Sequence, residues 1–442
     1  MEAAAAYLES HGVQAALTAA VARVAHERPA DPIGALGSAL VQARLPPSVR
    51  DVGFTTVGNL ISEAESGALA TRLVEVGIEP ATRAESFASA ARRLVAAGVD
   101  PSARATAFWV PGRVEVMGKH TDYAGGRSLL CAVNRGFAVV SADRNDAVCR
   151  VLASFELAGT VDEASVPLGS ASAVEQLPDG WARYPAVTAR RLAVNFGLNL
   201  GVDIAFECDL PEASGMSSSS AVVIVTFLAL SARNALTRHP KFTSALPTPE
   251  VLCHYLGCIE NGQDCGTLLP GDAGVGTFGG SEDHTAILLC MPGELRQYSF
   301  CPTRLEAAIP FPPGLVMLIA VSGATAQKGD ERLKDYNDAV MLAKRAAAAA
   351  DGGAAAVSNT LAAVVAAAAA QLKTPSRSDR RVYNAVRERI AAHDMEGLGA
   401  RATGGSERLA AHVPAVGAIG RRFEQFFEES EVLVPGVGDA FA

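Results

Sequence analysis

Val202-Asp203-Ile204-Ala205-Phe206-Glu207-Cys208, then Pro211-Glu212-Ala213-Ser214-Gly215-Met216-Ser217-Ser218-Ser219-Ser220, then the apolar stretch from Ala221 to Leu230, form one continuous succession. An alternating run, a loop of small residues and a strongly apolar segment read as strand, turn and helix. Small residues in such a loop let the backbone approach an anion closely. The amides that open the helix then supply donors and a favourable dipole. The hydroxyls can bond phosphate oxygens or take a place on Mg²⁺. A bare serine run more often marks a helix cap. The strand before it and the apolar helix after it favour a phosphate cradle instead, at Gly215, Met216, Ser217, Ser218 and Ser219. The loop has no Gly-Lys-Ser/Thr and no G-x-G-x-x-G, so it is neither a Walker A loop nor the dinucleotide fingerprint.

A second segment runs Pro111-Gly112-Arg113-Val114-Glu115-Val116-Met117-Gly118-Lys119-His120-Thr121-Asp122-Tyr123-Ala124-Gly125-Gly126. Asp122, on a turn after a strand, can accept two hydroxyl protons in a bidentate bond. Arg113, always charged, can reach both a transferring phosphate and a catalytic carboxylate. A third segment is Gly276-Thr277-Phe278-Gly279-Gly280-Ser281-Glu282-Asp283-His284. A carboxylate beside an arginine can accept a proton from an attacking hydroxyl while the arginine steadies phosphoryl charge. Whether it acts as a full base or as an orienter stays open at this point.

These three segments carry a resemblance. P-x-x-x-G-[LM]-S-S-S after a strand is similar to the second signature of the GHMP kinases, with Ala213 where galactokinases usually have glycine. The second segment resembles the galactokinase signature, whose usual form reads P-G-R-V-N-L-I-G-E-H-T-D-Y-N-G-G. The resemblance implies an α+β, two-lobed GHMP kinase fold. Its N-terminal lobe is ribosomal-protein S5-like, its C-terminal lobe is α+β, and a helical extension precedes both. It implies an ATP-dependent, Mg²⁺-requiring sugar 1-kinase, with galactose as the leading substrate. On the matching positions, Asp283 and Arg113 are the catalytic pair, and Lys119, His120, Asp122 and Gly280 face the sugar. Gly215 to Ser219 hold ATP. Cys258-Ile259-Glu260-Asn261 resembles the family's metal-bearing helix, which makes Glu260, with Ser218, the Mg²⁺ candidates. Gly180-Trp181-Ala182-Arg183-Tyr184 resembles the W-x-x-Y element near the nucleotide, placing Trp181 there or as a plain helix anchor. Val321-Ser322-Gly323 through Tyr336-Asn337 resembles the element whose tyrosine meets the sugar, so Tyr336 is a substrate contact or a packing residue. Glu282 is the competing carboxylate, with surface solvation as its plain role.

Three departures from the pattern matter. Lys119 replaces a glutamate that binds the sugar's primary hydroxyl, a donor in place of an acceptor. That favours a carboxylate-bearing sugar, a pentose or a rotated pose, unless Lys119 points to solvent. Asn261 to Val275 is longer than the family spacing. The closing Pro435-Gly436-Val437-Gly438-Asp439-Ala440-Phe441-Ala442 does not match the family's third motif, G-x-G-x-G-G. The expectation is therefore an incomplete C-terminal lobe, from a fragment or one completed by a partner or a rearrangement. Kinases for L-arabinose or a uronic acid, and a catalytically silent ATP and sugar sensor, stand as alternatives.

Outward from these motifs, residues 1–104 read as a helical extension, 105–310 as the N-terminal lobe and 311–442 as the C-terminal lobe. Ala107 to Val110, Arg113 to Met117 beyond a Pro-Gly turn, and Leu129 to Val140 read as strands. Thr285 to Leu289 and Leu315 to Val321 read the same way. Ala339 to Gln371 is helix-rich, with a break at Asp351-Gly352-Gly353. Over 442 residues the formal net charge is −9, which argues against a nucleic-acid partner, since phosphate tracking needs a basic excess. The eight cysteines show no C-x-x-C pair and no zinc-ligand spacing with histidine, and read as reduced, buried thiols. Leu361 to Ala370, the longest apolar run, falls far short of the ~20 residues of a membrane span. No basic leader precedes an apolar run at the N-terminus, so the reading is cytoplasmic. The expected partners are a small-molecule sugar and ATP; oligomeric state is not legible.

Overall fold

A computed structural model of the chain describes residues 50–155, 160–168, 177–211, 215–318, 330–351, 360–374, 376–401 and 417–441. Strand β1 (Arg50–Thr56) leads through helices α1 (Val57–Ser66), α2 (Ala68–Glu75) and α3 (Pro80–Ala96) into β2 (Arg104–Met117). There follow β3 (Arg127–Asp143), β4 (Val148–Phe155), β5 (Thr160–Pro167), α4 (Arg183–Phe196), β6 (Val202–Cys208) and α5 (Ser218–Arg233). Next come α6 (Pro240–Ala245), α7 (Pro249–Asn261), α8 (Glu282–Leu289), β7 (Glu294–Ser299) and β8 (Arg304–Pro310). Beyond Pro310 the described elements are helices: α9 (Asp330–Ala350), α10 (Leu361–Leu372), α11 (Arg380–Arg401), α12 (Ala418–Phe426) and α13 (Val434–Phe441). A π-helical stretch, Phe427–Leu433, joins the last two.

The described strands make one eight-stranded sheet in the order β1-β2-β3-β6-β4-β5, with β7 on the free end of β3 and β8 on β7. All pairs are antiparallel except β4 with β6. Alternation along β2 shows why. Phe108 and Val110 enter a core with α4, α5, α7 and α8, while Ala107 and Trp109 enter a second core with α1, α2 and α3. Both faces of the sheet are covered, so its central strands read as near-continuous apolar runs. The residues after Arg50 thus cover one face of the sheet. Their helical reading is corrected at Arg50–Thr56, a β-strand antiparallel to β2; residues 1–49 lie outside the described residues.

The expected Pro-Gly turn at Pro111-Gly112 is also corrected: β2 runs through it with a bulge between Pro111 and Arg113. Proline has no N–H for the ladder. Opposite it, Gly136 lies so close that a Cβ there would sit 2.2 Å from the Val110 carbonyl. The bulge turns the Arg113 amide to the Met216 carbonyl at 3.5 Å, tying β2 to the serine loop. Thr285 to Leu289 is helix, not strand. Short apolar runs do not separate the two states, and Glu282 and Asp283 supply acidic residues at the start of α8. Leu315 to Leu318 has no regular structure, and residues 319–321 lie outside the described residues. Among the described residues, no helix is long and apolar enough to cross a membrane.

Candidate active site

Gly215 and Ser217 both take the left-handed conformation, at φ 75° and 55°. That bends the chain sharply before α5. Ser217 stands at the N-cap without a side-chain bond to the helix, and no acidic residue occupies the first turn. The Ser217 hydroxyl instead hydrogen-bonds Asp283. A helix start without its own cap presents amides to an anion. Residues 212–214 of the loop lie outside the described residues.

Arg113 joins this loop to the carboxylate. Its Nη1 donates to the Gly215 carbonyl, while Nε and Nη2 donate to Asp283 Oδ1 at 2.8 and 2.6 Å. Burial would raise the Asp283 carboxyl. The Arg113 charge and the bonds from Ser217 and Arg113 override it and hold the group at about 2. Asp283 is therefore ionised throughout the neutral range.

The turn that carries Asp122 lies against the same segment. Asp122 is buried, and its Oδ2 accepts the Glu282 amide at 3.2 Å. A Cβ on Gly280 would lie 2.1 Å from that same Oδ2, so only glycine fits at this position. His120, at φ 60°, holds a conformation that costs a non-glycine residue strain, a feature that clusters at ligand clamps. Its ring stands 5.2 Å from that of Tyr336. Helix α9 is held there by Asn337, which accepts from the Phe278 amide at 2.7 Å and donates to the Gly276 carbonyl at 3.0 Å. Lys119 is exposed, while its amide and that of Gly118 donate to Glu429 Oε1 at 2.9 and 3.2 Å. Residues 321–323 lie outside the described residues.

Burial raises Asp122 to about 6; the amides of Glu282 and Tyr123 oppose this, and Asp283 and Glu115 add repulsion. Burial first, then Glu115 and Asp122, push Glu282 well above its usual range. Surface solvation of Glu282 is thereby corrected: it is 5% exposed and accepts from Ser128 at 2.8 Å. A result at acid pH follows. Only the ionised form of Asp122, present above its folded-state value, could act as a bidentate acceptor of hydroxyl protons. Apparent KM for sugar should therefore rise about tenfold per unit as pH falls below about 6, and Asp122→Asn should bind sugar weakly at every pH. A KM that stays flat between pH 7 and 5 would remove Asp122 from the binding site.

Glu260, on α7, is nearly buried. The serine that meets it is Ser220, whose hydroxyl donates to Glu260 Oε2 at 2.8 Å and lies 3.3 Å from Asp283 Oδ2. His284 Nε2 stands 3.2 Å from the same Glu260 oxygen. A carboxylate beside serine hydroxyls is the hard oxygen donor set Mg²⁺ takes, so the residues present fit that ion in type. Trp181 packs edge-on against Phe155, with ring centroids 6.2 Å apart, as a helix anchor would.

Comparison with known proteins bears on this arrangement. A sequence profile described as the galactokinase galactose-binding signature matches residues 100–142, and one for the GHMP kinases N-terminal domain matches residues 183–261. Over these two stretches the chain is similar to GHMP kinases and, within them, to galactokinases. It is 28% identical over 247 residues to a galactokinase of Bacillus subtilis, covering 54% of this chain and 56% of that protein. It is 34% identical over 120 residues to a galactokinase of Exiguobacterium sibiricum, covering 27% and 30%. The chain thus spans about half, or less, of the curated relatives it matches. A solved Lactococcus lactis galactokinase complexed with galactose aligns over 67% of this chain and 69% of that one, at 17% identity and a TM-score of 0.40. So slight a likeness adds nothing to the match.

In this site, several residues escaped the sequence reading. Ser220, His284 and Asn337 adjoin residues already singled out, and adjacency was their only signal. Glu429 had none, because it comes from the far end of the chain.

Proposed function

We propose that the chain is an ATP-dependent sugar 1-kinase, with galactose as its first candidate substrate. One observation carries this reading: a single guanidinium, Arg113, bonds both the Gly215 carbonyl of the serine loop and the Asp283 carboxylate. Any phosphate on that loop is thereby brought beside a carboxylate and next to the buried Asp122. In the reaction, the sugar's anomeric oxygen forms a bond to the γ-phosphorus of ATP as the bond to the β-phosphate oxygen breaks, releasing ADP. The hydroxyl proton passes to Asp283. Held at about 2, Asp283 is a weak base, so it orients the hydroxyl and takes the proton late, as a loose transition state permits. Arg113 faces the charge on the phosphoryl oxygens. When bound, Mg²⁺ would supply charge neutralisation of the phosphates, held by Glu260 and a hydroxyl of Ser218 or Ser220. Trp181 is the candidate beside the nucleotide, and Tyr336, His120 and Gly280 line the sugar.

A uronic acid is a second reading, on a specific observation. Arg422 is buried and has no carboxylate partner among the described residues. It donates to the His120 carbonyl, to the Tyr123 hydroxyl at 2.8 Å and to Gln425 at 2.7 Å. With Arg421 and His120 it lines a cavity of about 360 Å³, and Lys119 lies next to His120. The charges of Arg422, Arg421 and Lys119 suit a carboxylate on the acceptor.

ADP release on a panel of galactose, L-arabinose and galacturonate separates the readings. Sugar-dependent release is expected, and Lys119→Glu should shift preference towards neutral hexose. Thermal stabilisation by ATP and sugar with no release from any of them would replace the kinase with a silent sensor.

A further inference from the structure

Helix α7 carries a second group of chemistry-bearing side chains besides Glu260. His254 and Cys258 are four residues apart, so they stand one above the other on one face of the helix. The helix stops at Gly262, at φ 73°, and the chain turns back, its Gln263 amide bonding the Cys258 carbonyl at 2.9 Å. This turn returns Cys265 to the same face. There the Cys265 amide bonds the Leu269 carbonyl at 2.9 Å, closing a small loop. His254 Nε2 or Nδ1, Cys258 Sγ and Cys265 Sγ lie within 4.8 Å of one another, and Cys258 Sγ is 3.6 Å from His254 Nε2.

The Cys258–His254 separation matches an edge of a tetrahedral thiophilic site, and the third ligand atom lies within reach of the same ion. With zinc–sulfur and zinc–nitrogen bonds of about 2.3 and 2.0 Å, the sulfur–nitrogen edge is about 3.5 Å and the sulfur–sulfur edge about 3.8 Å. The two sulfurs are buried and the imidazole is exposed. An ion therefore has a path in from solvent and an open fourth position for water. The surroundings also suit thiolates. Arg191 is fully buried, yet its guanidinium bonds neutral partners, Asn195 Oδ1 at 3.0 Å and the Gln263 carbonyl at 2.5 Å. Two thiolates on a divalent ion form a neutral unit, so the ion replaces thiol protons, which pass to solvent.

We infer that His254, Cys258 and Cys265 form a binding site for a thiophilic divalent cation of the zinc class, which pins the loop after α7. The absence of zinc-ligand spacing along the sequence is thereby explained: the third ligand arrives through a left-handed glycine turn that spacing rules do not count. The pinned loop, Asn261 to Val275, rejoins the helix where the Val275 amide bonds the Glu260 carbonyl at 2.8 Å. The ion would thus hold the segment between Glu260 and Asp283 without touching either carboxylate.

The test uses the full chain, reduced and freed of metal, titrated with Zn²⁺ and separately with Co²⁺. Expected are one equivalent bound per chain, proton release, and the visible and thiolate-to-metal absorption of tetrahedral cobalt. Cys258→Ser with Cys265→Ser should abolish the cobalt spectrum. Because buried replacements can disturb folding, His254→Gln, an exposed change, serves as the second variant. It should weaken zinc affinity at least tenfold while the melting temperature of the metal-free protein stays unchanged. Absence of cobalt–thiolate absorption in the reduced chain, or equal zinc affinity in His254→Gln, would overturn the inference. Neither readout depends on kinase turnover, so failure of the site and failure of the kinase reading are separable.

Discussion

Asp283→Asn is expected to lower sugar-dependent ADP release by on the order of 10³-fold, with nucleotide affinity retained. Asparagine keeps the shape of the side chain but has no charge to receive the hydroxyl proton and only one oxygen for the bonds now made by Arg113, Ser217 and Ser220. The loop amides that would hold the phosphates belong to a different segment, at Gly215 to Ser219, and the substitution leaves them in place. The measurement is steady-state ADP release alongside ATP-analogue titration of the same preparation. Turnover equal to that of the unaltered chain would remove Asp283 from the chemistry.

Arg113→Met is expected to act on both rate and stability. In the proposed reaction the guanidinium faces the phosphoryl charge, and losing such a donor costs roughly 10²–10³-fold in kcat. The variant also leaves Asp283 without its cation. The expected destabilisation is about 2–3 kcal/mol, below the value for a fully buried pair because the Asp283 side chain is 33% exposed. The pH dependence fixes the sign. The folded Asp283 sits at about 2 against an ordinary 3.8. Its stabilisation is fully present above the ordinary value and is lost as pH falls through the folded one. The stability gap between the two proteins should therefore close between about pH 4 and pH 2 in denaturant melts. A gap independent of pH over that window would mean that Arg113 stabilises by packing alone.

The parts of the fold that were legible in the sequence are those where local pattern and tertiary role agree. Val202 to Cys208 alternates, the serine loop is small throughout and Ala221 to Leu230 is apolar all round; each becomes the element it resembles. Reading failed where a tertiary neighbour decides. Arg50–Thr56 is a strand because β2 offers it an edge. Thr285 to Leu289 has β-branched residues suited to a strand, yet the two acidic residues before it start a helix. Pro111-Gly112 looks like a turn but lies in a bulge that Gly136 accommodates from the opposite strand. The site divides in the same way. Arg113, Asp122 and Asp283 sit in long ordered motifs; Arg113 bonds Asp283, and Asp122 accepts the amide of the neighbouring Glu282. Glu282 looked like a surface acid because burial is invisible one residue at a time, and Glu429 reaches the Gly118 and Lys119 amides from another part of the chain.

The proposed kinase requires the serine loop and the Asp122 turn to open on one cleft through Arg113 and Asp283. A crystal structure of the chain with a non-hydrolysable ATP analogue and galactose tests it most directly. Expected is the γ-phosphate on the amides of Gly215 to Ser219, with the anomeric hydroxyl between it and Asp283 and a second hydroxyl on Asp122. A nucleotide bound elsewhere, or a sugar away from Asp122, would contradict it.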